Sequence, residues 1–222
     1  MCVSYHDHTN LIVNFSWLTP IPTKKLLELI NIIYYDTNMI YEDIIETVIS
    51  NMNNAFSEDS DNFSETRDIF SARIQSYVIA TKKYLEAAII GEIGNNTFDH
   101  NFGYINSLPK GVYCNTSYLH NFTILADYGR GLKKTLMAVI PSMTSDLEAI
   151  ETAFTKRVSG RSPEQRGNGL KFVSEAIQQN KWHLFFQSGT GACTIDKTGI
   201  TFYKKALSLT GCLAIINFNE DI

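Results

Sequence analysis

At 222 residues the chain can hold one large domain, or one domain with an extension, around a sizeable core. A hydrophobic content of 44% with 19% charged residues describes an ordinary globular protein, and a net charge of −4 with no local basic surplus argues against a nucleic-acid partner. No apolar run approaches the length of a membrane span and residues 1–10 lack a leader pattern, so no membrane partner is expected and the expected location is cytoplasmic.

Residues 11–18 are apolar and bounded by Thr19-Pro20-Ile21-Pro22, which predicts a strand. Thr23 can cap a helix carrying Leu26, Leu27, Ile30, Ile33 and Tyr34 at helical spacing, and Ile44, Ile45, Val48 and Ile49 predict a second helix over 42–52. Neither carries an obvious functional group. His6 and His8 have alternate spacing, but a pair of histidines near a terminus is usually incidental. Residues 57–68 hold five acids, Glu58, Asp59, Asp61, Glu65 and Asp68, and read as a solvated loop in which Ser64 caps the next helix. The expected division is an N-terminal extension over 1–68 and a main domain over 69–222. The main domain opens with Ile74, Tyr77, Val78 and Thr81 facing inward.

The stretch from Glu92 to His100 carries the first chemistry. If 76–100 is one helix, Leu85, Ala88, Glu92, Asn96 and Asp99 share a stripe, apolar at one end and polar at the other. Burying two carboxylates and an amide costs several kcal/mol unless a partner or metal satisfies them, which points to a pocket. A helix end emerging into solvent would look the same. Residues 111–120 and 122–126 then read as paired strands, and the second runs into Asp127-Tyr128-Gly129-Arg130-Gly131. An acid at a strand end followed by two glycines sets a carboxylate at a pocket mouth and lets backbone approach a flat ligand. A helix over 132–140 and a capping box at Ser145-Asp146-Leu147-Glu148, opening a helix to about Phe154, follow.

Residues 156–168 lack apolar periodicity and hold Lys156, Arg157, Arg161 and Arg166, three of the chain's six arginines. A basic, glycine-containing loop of this kind suits a lid over an anion. It ends at Gly167-Asn168-Gly169-Leu170, where a helix bearing Phe172, Val173, Ala176 and Ile177 begins, and a glycine-flanked helix N-terminus can bind phosphate. Four short strands, 182–187, 192–196, 200–203 and 212–218, joined by glycine-rich turns, complete the expectation. Cys2, Cys114, Cys193 and Cys212 lack CxxC spacing and read as reduced, mostly buried thiols.

In order, these pieces are Glu-x-x-x-Asn-x-x-Asp-His on a helix, a strand ending in Asp-x-Gly-x-Gly, a basic lid, Gly-x-Gly-Leu opening a helix, and closing strands. The series resembles the GHKL (Bergerat-fold) superfamily of ATP-binding domains, shared by gyrase B subunits, mismatch-repair MutL, histidine kinases and anti-sigma-factor serine kinases. The resemblance spans about 76–218. It implies an α/β (α+β) two-layer sandwich, a mixed β-sheet with helices packed on one face, with ATP and Mg²⁺ as cofactors. Asn96 would ligate Mg²⁺ and Glu92 would orient or deprotonate the attacking water or hydroxyl. Asp127 would accept from the adenine amino group, with Gly129 and Gly131 leaving room for the ring. Gly167, Gly169 and Leu170 would wrap the phosphates, Arg161 or Arg166 would add charge there, and Asp99 and His100 would shape the edge of the ATP site.

Some features depart from the family. Gly211-Cys212 stands where a Gly-Thr pair is common. No histidine lies on an upstream helix, so autokinase activity is not expected. Gyrase-type and MutL-type ATPases use a second domain that donates a lysine to the phosphates, for which residues 1–222 leave no room. The layout is closest to the anti-sigma-factor serine kinases. The expected activity is Mg²⁺-dependent transfer of the ATP γ-phosphoryl group to water or to a protein hydroxyl, with a protein partner or substrate and with a homodimer left open. The alternative is a nucleotide-gated interaction module with little turnover.

Overall fold

The computed structural model describes residues 62–101, 111–117, 121–156 and 169–219. The expected strand at 11–18, the two helices after Thr23 and at 42–52, His6, His8, Arg157, Arg161, Arg166 and Gly167 lie outside the described residues.

The first described elements are strand β1 (Phe63–Ser64) and helix α1 (Arg67–Thr81). Ser64 was the expected cap of this helix, but it pairs in the sheet, and its hydroxyl accepts from the Arg73 guanidinium. Thr66 caps instead, its hydroxyl accepting from the Ile69 N–H. The expected single helix over 76–100 is two. Lys82 takes a left-handed conformation at φ 60° and its N–H closes on the Val78 carbonyl, ending α1, and helix α2 (Tyr84–Asn101) follows after the break. The Thr81 hydroxyl accepts from Lys83 N–H across the break, and Tyr77 bonds Glu86 beneath it.

The break moves the buried face of α2. Ala87, Ile89, Ile90 and Ile93 enter the core, whereas Leu85 and Ala88, expected to be apolar neighbours of Glu92 on an inward stripe, are exposed. Glu92, Asn96 and Asp99 therefore sit on a flank of the helix, half-buried beside the core.

Strands β2 (Val112–Ser117) and β3 (Phe122–Asp127) pair antiparallel as expected. Three helices follow: α3 (Gly131–Leu136), α4 (Asp146–Thr155) and α5 (Gly169–Gln179). The first stops at Leu136 rather than running to 140, giving way to a turn held by Ile140 N–H to Leu136 O. Ser145 caps α4 by accepting from Glu148 N–H at 3.1 Å, and Glu148 reaches back to the backbone N–H of Ser145, as the expected box requires, and also to the N–H and hydroxyl of Thr144.

The four expected closing strands are two, β4 (His183–Asp196) and β5 (Gly199–Asn217), forming one long antiparallel hairpin. The glycines read as turns at 189 and 191 lie at a bulge inside β4, where the pairing register shifts. They serve close packing. The Asp146 carboxylate at the start of α4 accepts from the Thr190 N–H and hydroxyl at 2.9 and 3.0 Å, and a Cβ at either glycine would collide with Asp146.

The sheet order is β1-β2-β3-β5-β4 and all four pairings are antiparallel, so the expected mixed sheet is corrected for the described residues. The class is α+β. Helices and sheet share a core that includes Ile90, Leu125, Ile150, Val173, Ile177, Phe186 and Ile216, with Phe154 set edge-on to Phe186 at 5.2 Å. Among the described residues no helix is long and apolar enough to cross a membrane.

Candidate functional site

Alternation along β3 and β5 turns Leu125, Asp127, Cys212 and Ala214 toward the helix layer. Above the end of β3 and the stretch of β5 paired with it, α2, α3 and α5 do not close completely, and a cavity of about 280 Å³ remains. That is near the lower end of the roughly 300–1,000 Å³ usual for small-ligand pockets. Glu92, Asn96, Asp99, His100, Asp127, Gly131, Gly169 and Leu170 all line it, from four separate elements. Gly129 does not line it but lies directly behind Asp127. Arg161, Arg166 and Gly167 are outside the described residues.

Asp127 is buried at the strand end, 9% exposed. Its Oδ1 accepts the Gly129 N–H at 2.6 Å and its Oδ2 accepts the Thr97 hydroxyl at 3.1 Å. These donors fix the carboxylate plane, and a carboxylate oxygen can accept more than one hydrogen bond. The turn after Asp127 is locked from β4. Ser188 Oγ donates to Gly211 O and accepts the Leu132 N–H, both at 2.9 Å, and Gly131 takes φ 75° between them. Cys212 lies opposite Asp127 in the strand pair. Burial, then the Asp127 charge, holds its thiol well above the ordinary range, so it is a neutral thiol with weak donor capacity.

On the opposite wall, Glu92 lies against the first residue of α5. A Cβ at Gly169 would come within 1.7 Å of Glu92 Oε1, so glycine is what lets this carboxylate approach the helix N-terminus. Such an end carries unpaired N–H groups and a partial positive charge. At the rim Asp99 pairs with Arg67 from the start of α1. Burial and then the Arg130 guanidinium lower the His100 pKa, leaving a neutral imidazole at pH 7.

Four cavity or support residues were not foreseen. Thr97 follows Asn96 but faces the core side of α2, and a polar residue in phase with Ile90 and Ile93 is the sequence signal that would have found it. Asn95 lines the cavity, and its side-chain oxygen is buried with no hydrogen-bond partner among the described residues. Arg67 and Arg130 reach Asp99 and His100 through the tertiary fold, which no spacing announces.

Among the described residues, no group of three or more His, Cys, Asp and Glu side chains could hold a metal by itself. The donors at the cavity are instead an amide pair, Asn95 and Asn96, and carboxylates, which are hard oxygen ligands suited to a cation shared with an anionic ligand. No protein-family model matches the chain, and no curated protein matches it.

Proposed function

We propose that the chain binds Mg²⁺-ATP in this cavity, in the GHKL manner, and transfers the γ-phosphoryl group to water or a protein hydroxyl. The observation that carries the reading is the joining of Asp127, held by Thr97 and Gly129, with Glu92, Asn96 and the Gly169 helix end around one cavity. A buried, oriented carboxylate is suited to accept from an exocyclic amino group, with Leu125, Phe186 and Ala214 supplying apolar surface for a flat base. The α5 N-terminus is suited to phosphate oxygens.

Asn96 would hold the cation, with the unpartnered Asn95 oxygen able to accept from its hydration shell. Bound there, Mg²⁺ would neutralise charge on the phosphate oxygens. Glu92 would take the proton from the attacking oxygen as the new bond to γ-phosphorus forms and the β–γ bridging bond breaks, releasing ADP. The nearby helix end orients that carboxylate.

The test is incubation of the purified chain with Mg²⁺ and γ-labelled ATP, following free phosphate and label on protein. Glu92→Ala should keep ATP affinity within a few-fold and lose turnover by 10²-fold or more, the usual scale for a general base. Asp127→Asn should weaken ATP binding at least tenfold, since an amide can present an N–H to the amino group in place of an acceptor. ATP binding without either product would leave a nucleotide-gated interaction module, and absence of binding would overturn the assignment.

A further inference from the structure

The sheet has a second face, and the described helices do not pack on it. Alternation turns Tyr113, Ile124, Phe185, Leu213 and Ile215 away from the helix layer, opposite to Leu125, Phe186, Ala214 and Ile216. None of these five belongs to the cluster formed by the helices and the front face. All are nevertheless buried within a single chain, between 0% and 3% exposed. Gln187 lies among them, fully buried, and its Oε1 has no hydrogen-bond partner among the described residues.

We propose that residues 1–61 of this chain cover this far face, making the sheet the middle layer of a sandwich. Burial within one chain excludes a second copy as the cover that is required. The other stretches outside the description are shorter: residues 157–168 join α4 to α5, both packed on the front, residues 102–110 join α2 to β2, residues 118–120 join β2 to β3, and residues 220–222 follow β5. Residues 1–61 end one position before Asn62, whose carbonyl accepts from Cys114 N–H, and two before β1 at the sheet edge, so the segment reaches the sheet where it is needed. From β2 to β4 the apolar patch is three strand spacings wide, about 14 Å. A helix of ten residues covers about 15 Å, and the apolar-periodic runs at 24–34 and 42–52 are each long enough. Their isoleucine and leucine stripes match an aliphatic and aromatic face, and a donor from the same segment would satisfy Gln187.

The test uses the full chain with p-benzoylphenylalanine in place of Phe185, prepared as a 1:1 mixture of isotopically heavy and light protein. Irradiation should give crosslinks into residues 1–61 with matched isotopes, that is, within one chain. Mixed-isotope crosslinks, crosslinks only to another protein, or none into 1–61 would overturn the proposal. Should the substitution disturb folding, hydroxyl-radical footprinting of the unmodified monomer gives the answer. Tyr113 and Phe185 should be protected, and the double variant Leu27→Asp, Ile45→Asp should lose that protection while Phe154 and Phe186 stay protected. Unchanged protection at Tyr113 and Phe185 in the double variant overturns it. Neither measurement depends on ATP.

Discussion

At the scale of single residues, the cavity is set by how Asp127 is held. A buried carboxylate is costly unless its acceptors are filled, and here one oxygen is served by backbone and the other by the Thr97 hydroxyl. Replacing Thr97 by valine keeps the shape and deletes the donor. A hydrogen bond to a charged group contributes about 1.5–3 kcal/mol, so Thr97→Val should lower the unfolding free energy by about that much. Under the ATP reading it should also weaken ATP binding about tenfold by letting the carboxylate turn. Thr97→Ser should recover most of both. Urea unfolding and calorimetric titration of the two variants check this, and an unchanged affinity in Thr97→Val would leave the hydroxyl a purely structural role.

At the scale of elements, glycines mark where backbones meet, which explains what sequence could and could not reveal. The end of β3 was legible because an apolar run stops at an acid, and the start of α5 because Gly169 precedes a periodic apolar stripe. The closing strands were misread because Gly189 and Gly191 carry the same local signal as a turn, although here they admit α4 against a bulge. The helix break at Lys82 was also hidden. A lysine at φ 60° has no sequence signature, and the break is held by Tyr77 and Glu86 across it. Gly211 shows the cost most sharply. It takes φ 87° on β5, and a Cβ there would lie 1.9 Å from the Asp127 carbonyl oxygen. A left-handed conformation costs a non-glycine residue about 1–3 kcal/mol, and the obstacle is backbone, which cannot swing aside. Gly211→Ala should therefore destabilise by at least the upper part of that range, measured as a drop in urea midpoint at constant slope. Gly199→Ala, also at positive φ but with open space around its Cβ, should cost less.

At the scale of the whole molecule, an antiparallel sheet brings the end of β3 and an interior stretch of β5 beneath three helices that are distant in sequence. Motif order alone could place Glu92, Asp127 and Gly169 near one another, but it leaves out the charges around them: Arg67 comes from an element with no motif, and Arg130 stands at an unspecified position of Asp-x-Gly-x-Gly. His100 is the case with a measurable consequence. It lies at the cavity rim beside the Arg67–Asp99 pair, and burial together with Arg130 disfavours its protonated form. The folded pKa is thus below the unfolded value, about 6.5. Between the two, the unfolded state binds more protons, so stability rises with pH there. His100 costs nothing above the unfolded value, and its penalty grows as pH falls below about 6.5 until the folded pKa is passed. The urea midpoint of the wild-type chain should fall between pH 7.5 and 5.5, and His100→Asn should flatten that slope while leaving the pH 7.5 end less affected. The same charge argument couples the rim to the cavity. Under the ATP reading, an anionic ligand beside His100 would offset the Arg130 field and favour the imidazolium, so ATP affinity should fall as pH rises from the folded His100 pKa, which lies below 6.5, and should fall less steeply over that window in His100→Asn than in the wild-type chain. Calorimetric titration at pH 6, 7 and 8 reads this directly, and parallel pH profiles for the two proteins would place His100 outside the reach of the ligand's charge.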